Sequence, residues 1–171
     1  MRALLIALLA SLFFAMSPAE ARELAGRASV IDGDTIEIHG ERIRLHGIDA
    51  PESDQPCETS SGKTWRCGQR AAFALDDLIG RRVVRCNAHD TDRYGRLIAV
   101  CHVGDANINA WLVRNGWALA FRRYSMEFVD EEAAARTEKR GVWQGAFVPP
   151  WEWRHRSSSA GAGRASQAAP G

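Results

Sequence analysis

The sequence predicts an α+β domain, a small antiparallel barrel of strands with helices packed against it. Three observations predict it. Short stretches of alternating apolar and polar residues crowd the region between Leu24 and His102, the helical period governs three segments, one within that region and two after it, and strands do not alternate with helices as a parallel sheet requires. A length of 171 residues suits one domain, and 46% hydrophobic with 25% charged residues is ordinary for a soluble globular protein. The net charge of +1 provides no global field for nucleic acid, so any attraction to phosphate has to be local.

In order, Leu24 to Ile31 reads as a first strand that ends in a turn at Asp32-Gly33. Thr35 to Ile38 alternates with Ile36 and Ile38 on one face, and His39-Gly40 makes a tight turn. Across Arg42 to Ile48, Ile43 and Leu45 face one way while Arg42, Arg44 and His46 face the other. Such a strand is half-buried, and Arg44 projects away from the core. Ser53 to Gly68 is a polar, turn-rich loop. Gln69 to Ile79 is helical, with Ala72, Phe73, Leu75, Leu78 and Ile79 as its apolar stripe and Gly80 as its stop. Arg82 to Cys86 and Leu97 to His102 form a hairpin around the turn Asp92-Arg93-Tyr94-Gly95.

Two helices follow. Asn107 to Asn115 places Ile108, Trp111 and Leu112 on one side, and Trp117 to Phe121 is an apolar stretch expected inside. Glu127 to Arg140 is acidic early and basic late, as the helix dipole prefers. The tryptophan-rich GVWQGAFVPPWEWR is expected to pack back on the domain. The domain therefore spans 22–153, and 154–171 is expected to be a disordered tail, with Ser, Ala and Gly dominating from about Ser157.

Residues 1–21 read as a signal peptide. Met1-Arg2 is a positive start, Ala3 to Met16 an uncharged apolar run too short for a membrane span of about 20 residues, and Ala19-Glu20-Ala21 a small-residue cleavage pattern. Export to the periplasm or the exterior makes the four cysteines readable. Without C-x-x-C or paired histidines they do not suggest zinc, and an even number suggests two disulfides among three possible pairings. Cys86 and Cys101 are equidistant from the centre of the hairpin turn, so a symmetric hairpin sets them opposite each other and leaves Cys57 to pair with Cys67.

Chemistry concentrates in IDGDTIEIHGERIRLHGIDAPE, Ile31 to Glu52. Asp32, Asp34 and Asp49 are hard oxygen donors with no histidine or thiolate among them, which suits Ca2+, Mg2+ or Mn2+. Pro51 stiffens the step from Asp49 to Glu52, and a carboxylate fixed there can take a proton from an attacking water. Arg44 and the later Arg96 offer guanidinium forks that match the oxygens of a phosphodiester as negative charge builds on them. Tyr94, two residues before Arg96, either stacks on a base or covers the hairpin.

V-IDGDT, RLHGIDAPE and DRYGR, in this order, resemble the thermonuclease family of staphylococcal nuclease, and NINAWLVRNGWA resembles the helix that follows its hairpin. The likeness covers roughly Ala28 to Gly141. It implies a five-stranded OB-fold β-barrel with three helices and cleavage of DNA and RNA with Ca2+ to 3′-phosphate and 5′-hydroxyl ends. It also implies metal ligation by Asp34, Asp49 and the Ala50 carbonyl, with Asp32 behind them, and catalysis by Arg44, Glu52 and Arg96. Tyr124 matches one nucleotide-binding tyrosine of the family; Arg122 stands at the place of the other. Ala50 replaces a threonine, a change that a carbonyl ligand tolerates, and the cysteine-bridged insert is an addition. The expected enzyme is a monomeric nuclease; the alternative is a non-catalytic OB module of the cell envelope that binds nucleic acid or another polymer.

Overall fold

A computed structural model of the chain describes residues 22–167. The alternating stretches become a meander of β1 (Arg22–Asp32), β2 (Thr35–Ile38) and β3 (Glu41–Leu45), followed by the short β4 (Ile48–Asp49). The β2–β3 turn is His39-Gly40 with φ of 54° and 81°, the positive pair that a two-residue hairpin loop demands. The insert forms a separate ribbon of β5 (Pro56–Glu58) and β6 (Thr64–Arg66), and leads into α1 (Cys67–Ile79). After it come β7 (Val83–Thr91), β8 (Leu97–Val103), β9 (Ala106–Asn107), α2 (Ile108–Arg114) and β10 (Leu119–Ala120), then α3 (Val129–Thr137), a 3-10 turn (Gly141–Gln144) and α4 (Pro150–Gln167).

Strands β3, β2, β1, β7 and β8 are neighbours in that order, and β3 pairs with β8 to close the ring. This is the expected five-stranded barrel, with one correction to the antiparallel reading: the closing pair is parallel, Arg44 opposite Ile98. The reason is parity. Antiparallel neighbours alternate in direction, so around an odd number of strands one parallel pair is unavoidable. A fourth helix, α4, is added to the three expected.

The barrel core is Ile36, Ile38, Ile43, Leu45, Val84, Ala99 and Val103, continued by Leu75 and Ile79 of α1 and Ile108 and Leu112 of α2. In α1 the buried stripe is Gly68, Ala71, Leu75 and Ile79. Phe73, expected on that stripe, is 53% exposed, since it lies two residues and about 200° round the helix from Leu75. Strand β7 runs five residues past the expected end at Cys86, with a register shift between Ala88 and Asp90. Cys86 lies directly opposite Cys101 and is bridged to it, and Cys57 is bridged to Cys67. Two such bridges suit an oxidising compartment. A smaller core joins the bridged insert to the C-terminal segment: Cys57, Cys67, Leu119 and Val142, with Trp65, Trp143, Phe147 and Trp151 against them. Among the described residues no helix is long and apolar enough to cross a membrane. The stretch expected to be a signal peptide, 1–21, lies outside the described residues.

Candidate active site

The site starts at the turn between β1 and β2. Asp32 accepts the N–H of Asp34 through Oδ1 at 3.0 Å, which closes the turn and aims the Asp34 carboxylate inward, where it is 3% exposed. There Oδ2 accepts the N–H of Ala50 at 2.8 Å, and Oδ1 accepts the Thr35 hydroxyl at 3.2 Å and Nη1 of Arg44 at 2.5 Å. The β2–β3 register puts Arg44 opposite Thr35, next to that carboxylate. The other arm of the guanidinium, Nη2, donates to Asp49 Oδ1 at 2.7 Å. Asp49 is fully buried at the end of β4, paired with Leu119 of β10.

Burial pushes the Asp34 carboxyl up to about 7, with the charges of Asp32 and Asp49 adding to the effect and that of Arg44 opposing it. Burial alone would lower Arg44, but Asp34 and then Asp49 overcome it and hold the guanidinium charged. The arrangement is therefore carboxylate-rich and short of positive charge, a setting that a cation relieves.

Glu52 follows on the loop after β4, and its backbone is held from two sides. Its N–H donates to Gln55 Oε1 at 3.2 Å, and its carbonyl accepts the Gln55 N–H at 2.8 Å. The start of α1 also lies on this loop: a Cβ on Gly68 would sit 1.8 Å from the Glu52 carbonyl oxygen, so only glycine allows the approach. The Glu52 side chain itself is 39% exposed.

An unexpected residue completes the cluster. Arg154 of α4 donates from Nη1 to Asp49 Oδ1 at 3.1 Å, from Nη2 to Asp49 Oδ2 at 2.7 Å, and from Nη1 to Glu52 Oε1 at 2.7 Å. These carboxylates hold its guanidinium charged beyond its usual range, against burial that works the other way. It stands at the first position assigned to a disordered tail, 105 residues from Asp49. The signal in the sequence was the tryptophan cluster: Trp151 and Arg154 are three apart on a helix and share a face, so docking the one delivers the other. Gln55, fully buried under the loop, was likewise missed.

The structure thus brings together Asp32, Asp34, Arg44, Asp49, Ala50 and Glu52. Arg96 is not bonded into the cluster. The β3–β8 register sets it two residues from Ile98, the partner of Arg44, on the same face of the sheet. Its guanidinium turns back to Asp92, at 2.8 Å from Nε and 2.7 Å from Nη2. Tyr94 is 69% exposed at the hairpin tip, with the guanidinium carbons of Arg93 and Arg96 at 4.8 and 5.6 Å from its ring centre. Tyr124 is 66% exposed and packs edge-on to Phe121 at 5.0 Å. Arg122 is turned away to the buried Glu132 at 2.5 Å. Among the described residues no three His, Cys, Asp or Glu side chains form a ready metal cage.

A barrel closed by β3 and β8, with this carboxylate–arginine cluster at its mouth, can be compared with known proteins. The family model described as staphylococcal nuclease homologue matches residues 42–145. The chain belongs to the staphylococcal nuclease family. An endonuclease of Escherichia coli O157:H7, described as uncharacterized, is 35% identical over 85% of this chain and 94% of its own length. A micrococcal nuclease of Shigella flexneri is 34% identical over 77% and 80%. A succinoglycan biosynthesis protein of Rhizobium meliloti (strain 1021) is 38% identical over 81% and 74%, so the relatives of this chain carry different names. The family model and two of these relatives carry nuclease names, so the chain belongs to a family that includes nucleases.

Proposed function

We propose that this chain is an exported, divalent-cation-dependent nuclease that hydrolyses phosphodiester bonds of DNA, RNA or both, with Ca2+ as its ion and Mg2+ or Mn2+ as substitutes. The observation that carries the reading is Arg44, held at 2.5 and 2.7 Å between two buried carboxylates with Glu52 on the adjoining loop, in a family of nucleases. A purely binding module has no need of that cluster.

The donor set fits such a cation. Asp34 and Asp49 supply hard oxygens and Ala50 a carbonyl, and two carboxylates rather than three leave room for water in a shell of six to eight. Counted as ionised, Asp32, Asp34, Asp49 and Glu52 outnumber Arg44 and Arg154 by two negative charges, which one divalent ion balances. When bound, the ion polarises the phosphate and draws off its developing charge.

The protein's own groups do the remainder. Glu52, half-exposed, takes a proton from the attacking water as that water's oxygen bonds to phosphorus; the phosphorus–O5′ bond breaks and the leaving O5′ takes a proton from solvent, which gives 3′-phosphate and 5′-hydroxyl ends. Arg44 donates to the non-bridging oxygens, and Arg96 joins it by exchanging Asp92 for the phosphate. Removing one such donor commonly costs about 10² to 10³ in rate. Tyr94 and Tyr124 offer exposed rings for bases on either side.

The test is incubation of the purified protein with heat-denatured DNA and with RNA, in Ca2+ or in chelator, followed by end analysis. Cleavage in Ca2+ with 3′-phosphate ends is expected, and chelator should abolish it. No cleavage with any divalent ion would leave the binding module as the reading.

A further inference from the structure

The proposed base, Glu52, sits on a loop with a half-exposed side chain, yet catalysis needs its carboxylate in one place. Among the described residues, the side chain bonded to that carboxylate is Arg154, at 2.7 Å. We infer that Arg154 is a positioning residue for the nuclease reaction, and that α4 and the bridged insert form one device that delivers it to Glu52 and Asp49. The inference rests on the reading of Glu52 as the base.

Arg154 is well suited to hold another group because it is itself held. Two of its nitrogens grip both oxygens of Asp49, which is fully buried and gripped in turn by Arg44. A partly exposed glutamate is thereby tied, through one guanidinium, to a fully buried carboxylate of the site.

The helix that carries it is seated in several places. Trp151 stacks on Phe121 with ring centres 5.5 Å apart and planes within 5°. Gln55, which receives the Glu52 N–H, donates its own Nε2 to the Val148 carbonyl at 2.6 Å, so backbone and side chain of Glu52 are both tied to the C-terminal segment. On the insert, the Glu58 N–H donates to the Ala146 carbonyl at 2.8 Å. Gly145 passes so near that a Cβ on it would lie 2.2 Å from the Glu58 carbonyl oxygen. The small core around Cys57 and Cys67 buries the join. The insert, whose role the sequence left open, is the seat of the arm that orients the base.

The experiment compares the full chain with Arg154→Gln and Arg154→Lys, first at a Ca2+ concentration that saturates the wild type and then at higher Ca2+. Arg154 is 39% exposed, so both variants should fold, which melting checks. For Arg154→Gln the expected result is a kcat lower by about 10- to 100-fold with KM within about threefold. Arg154→Lys, which keeps the charge and loses the fork, should recover part of the loss. Calorimetric titration of Ca2+ without substrate is the independent reading, and the variants should still bind the ion. A raised KM with unchanged kcat would make Arg154 a phosphate clamp. A raised kcat would make it a brake, and full recovery of rate at higher Ca2+ would reduce it to a metal-retaining residue; each of these overturns the inference. An inactive wild type would remove the nuclease reading and this one together, whereas an active wild type with an unaffected variant removes this one alone.

Discussion

Asp34 and Glu52 are both carboxylates of one cluster, and their surroundings divide the work between them. Asp34 is buried, with an N–H, a hydroxyl and a guanidinium as fixed partners, so its oxygens are suited to holding positive charge in place. Glu52 is 39% exposed and reaches water, which a group that receives and releases protons must do. This difference yields a residue-level prediction. Glu52→Gln keeps an oxygen for Arg154 to donate to and removes the basic carboxylate. Turnover should fall by at least about 10²-fold, the usual scale of a general base, while the melting temperature stays near that of the wild type. Single-turnover cleavage of labelled DNA together with thermal melting measures both; undiminished turnover would remove Glu52 from the role.

At the level of elements, the site is a meeting of a turn, a loop and two helix ends. Helix α1 begins against the Glu52 loop, and Gly68 is the contact. Gly68→Ala forces a Cβ to within 1.8 Å of a backbone oxygen that cannot swing aside. The expected cost is about 1 to 3 kcal/mol from overpacking, measured by urea unfolding, with a loss of kcat beyond what the remaining folded fraction explains. An active, fully stable variant would show that the loop has slack. The same elements mark what was legible in the sequence. Alternation in Thr35–Ile38 and Arg42–Ile48 gave the strands that carry Arg44, and the symmetry of Cys86 and Cys101 about their turn gave a register that the structure reproduces. Local pattern fails where the partner is remote. Arg154 follows two prolines and precedes a run of serine and alanine; Trp151, three residues before it, marks a helix that docks, but does not name the partner 102 residues away in Glu52. Phe73 was misplaced for a related reason: apolar character alone does not say which side of an amphipathic helix meets the barrel.

For the molecule as a whole, the two disulfides occupy different kinds of place, and this separates stability from catalysis. Cys86–Cys101 ties β7 to β8 inside the barrel, and both residues are fully buried in the main core. Cys57–Cys67 lies outside the barrel, in the small core where the insert receives the C-terminal segment. Closed loops of 15 and 10 residues should each add about 3 kcal/mol in the chain-entropy model, so entropy alone would make the bridges nearly equivalent. The architecture makes them unequal in effect. Cys86→Ala with Cys101→Ala should lower the melting temperature by about 6 to 12 °C, from about 3 kcal/mol at 2 to 4 °C per kcal/mol. Well below that transition its kcat should stay near the wild-type value, because β3, β8 and the carboxylate loop remain assembled by the ladder and the core. Cys57→Ala with Cys67→Ala should lose comparable stability and also lose turnover at the same low temperature, since the seat of α4 loosens and Arg154 leaves Glu52 less firmly held. Parallel melting curves and kcat measurements on the two double variants decide it. Equal losses of turnover, or a greater loss in the barrel variant, would show that the insert is a stabilising staple with no hold on the site.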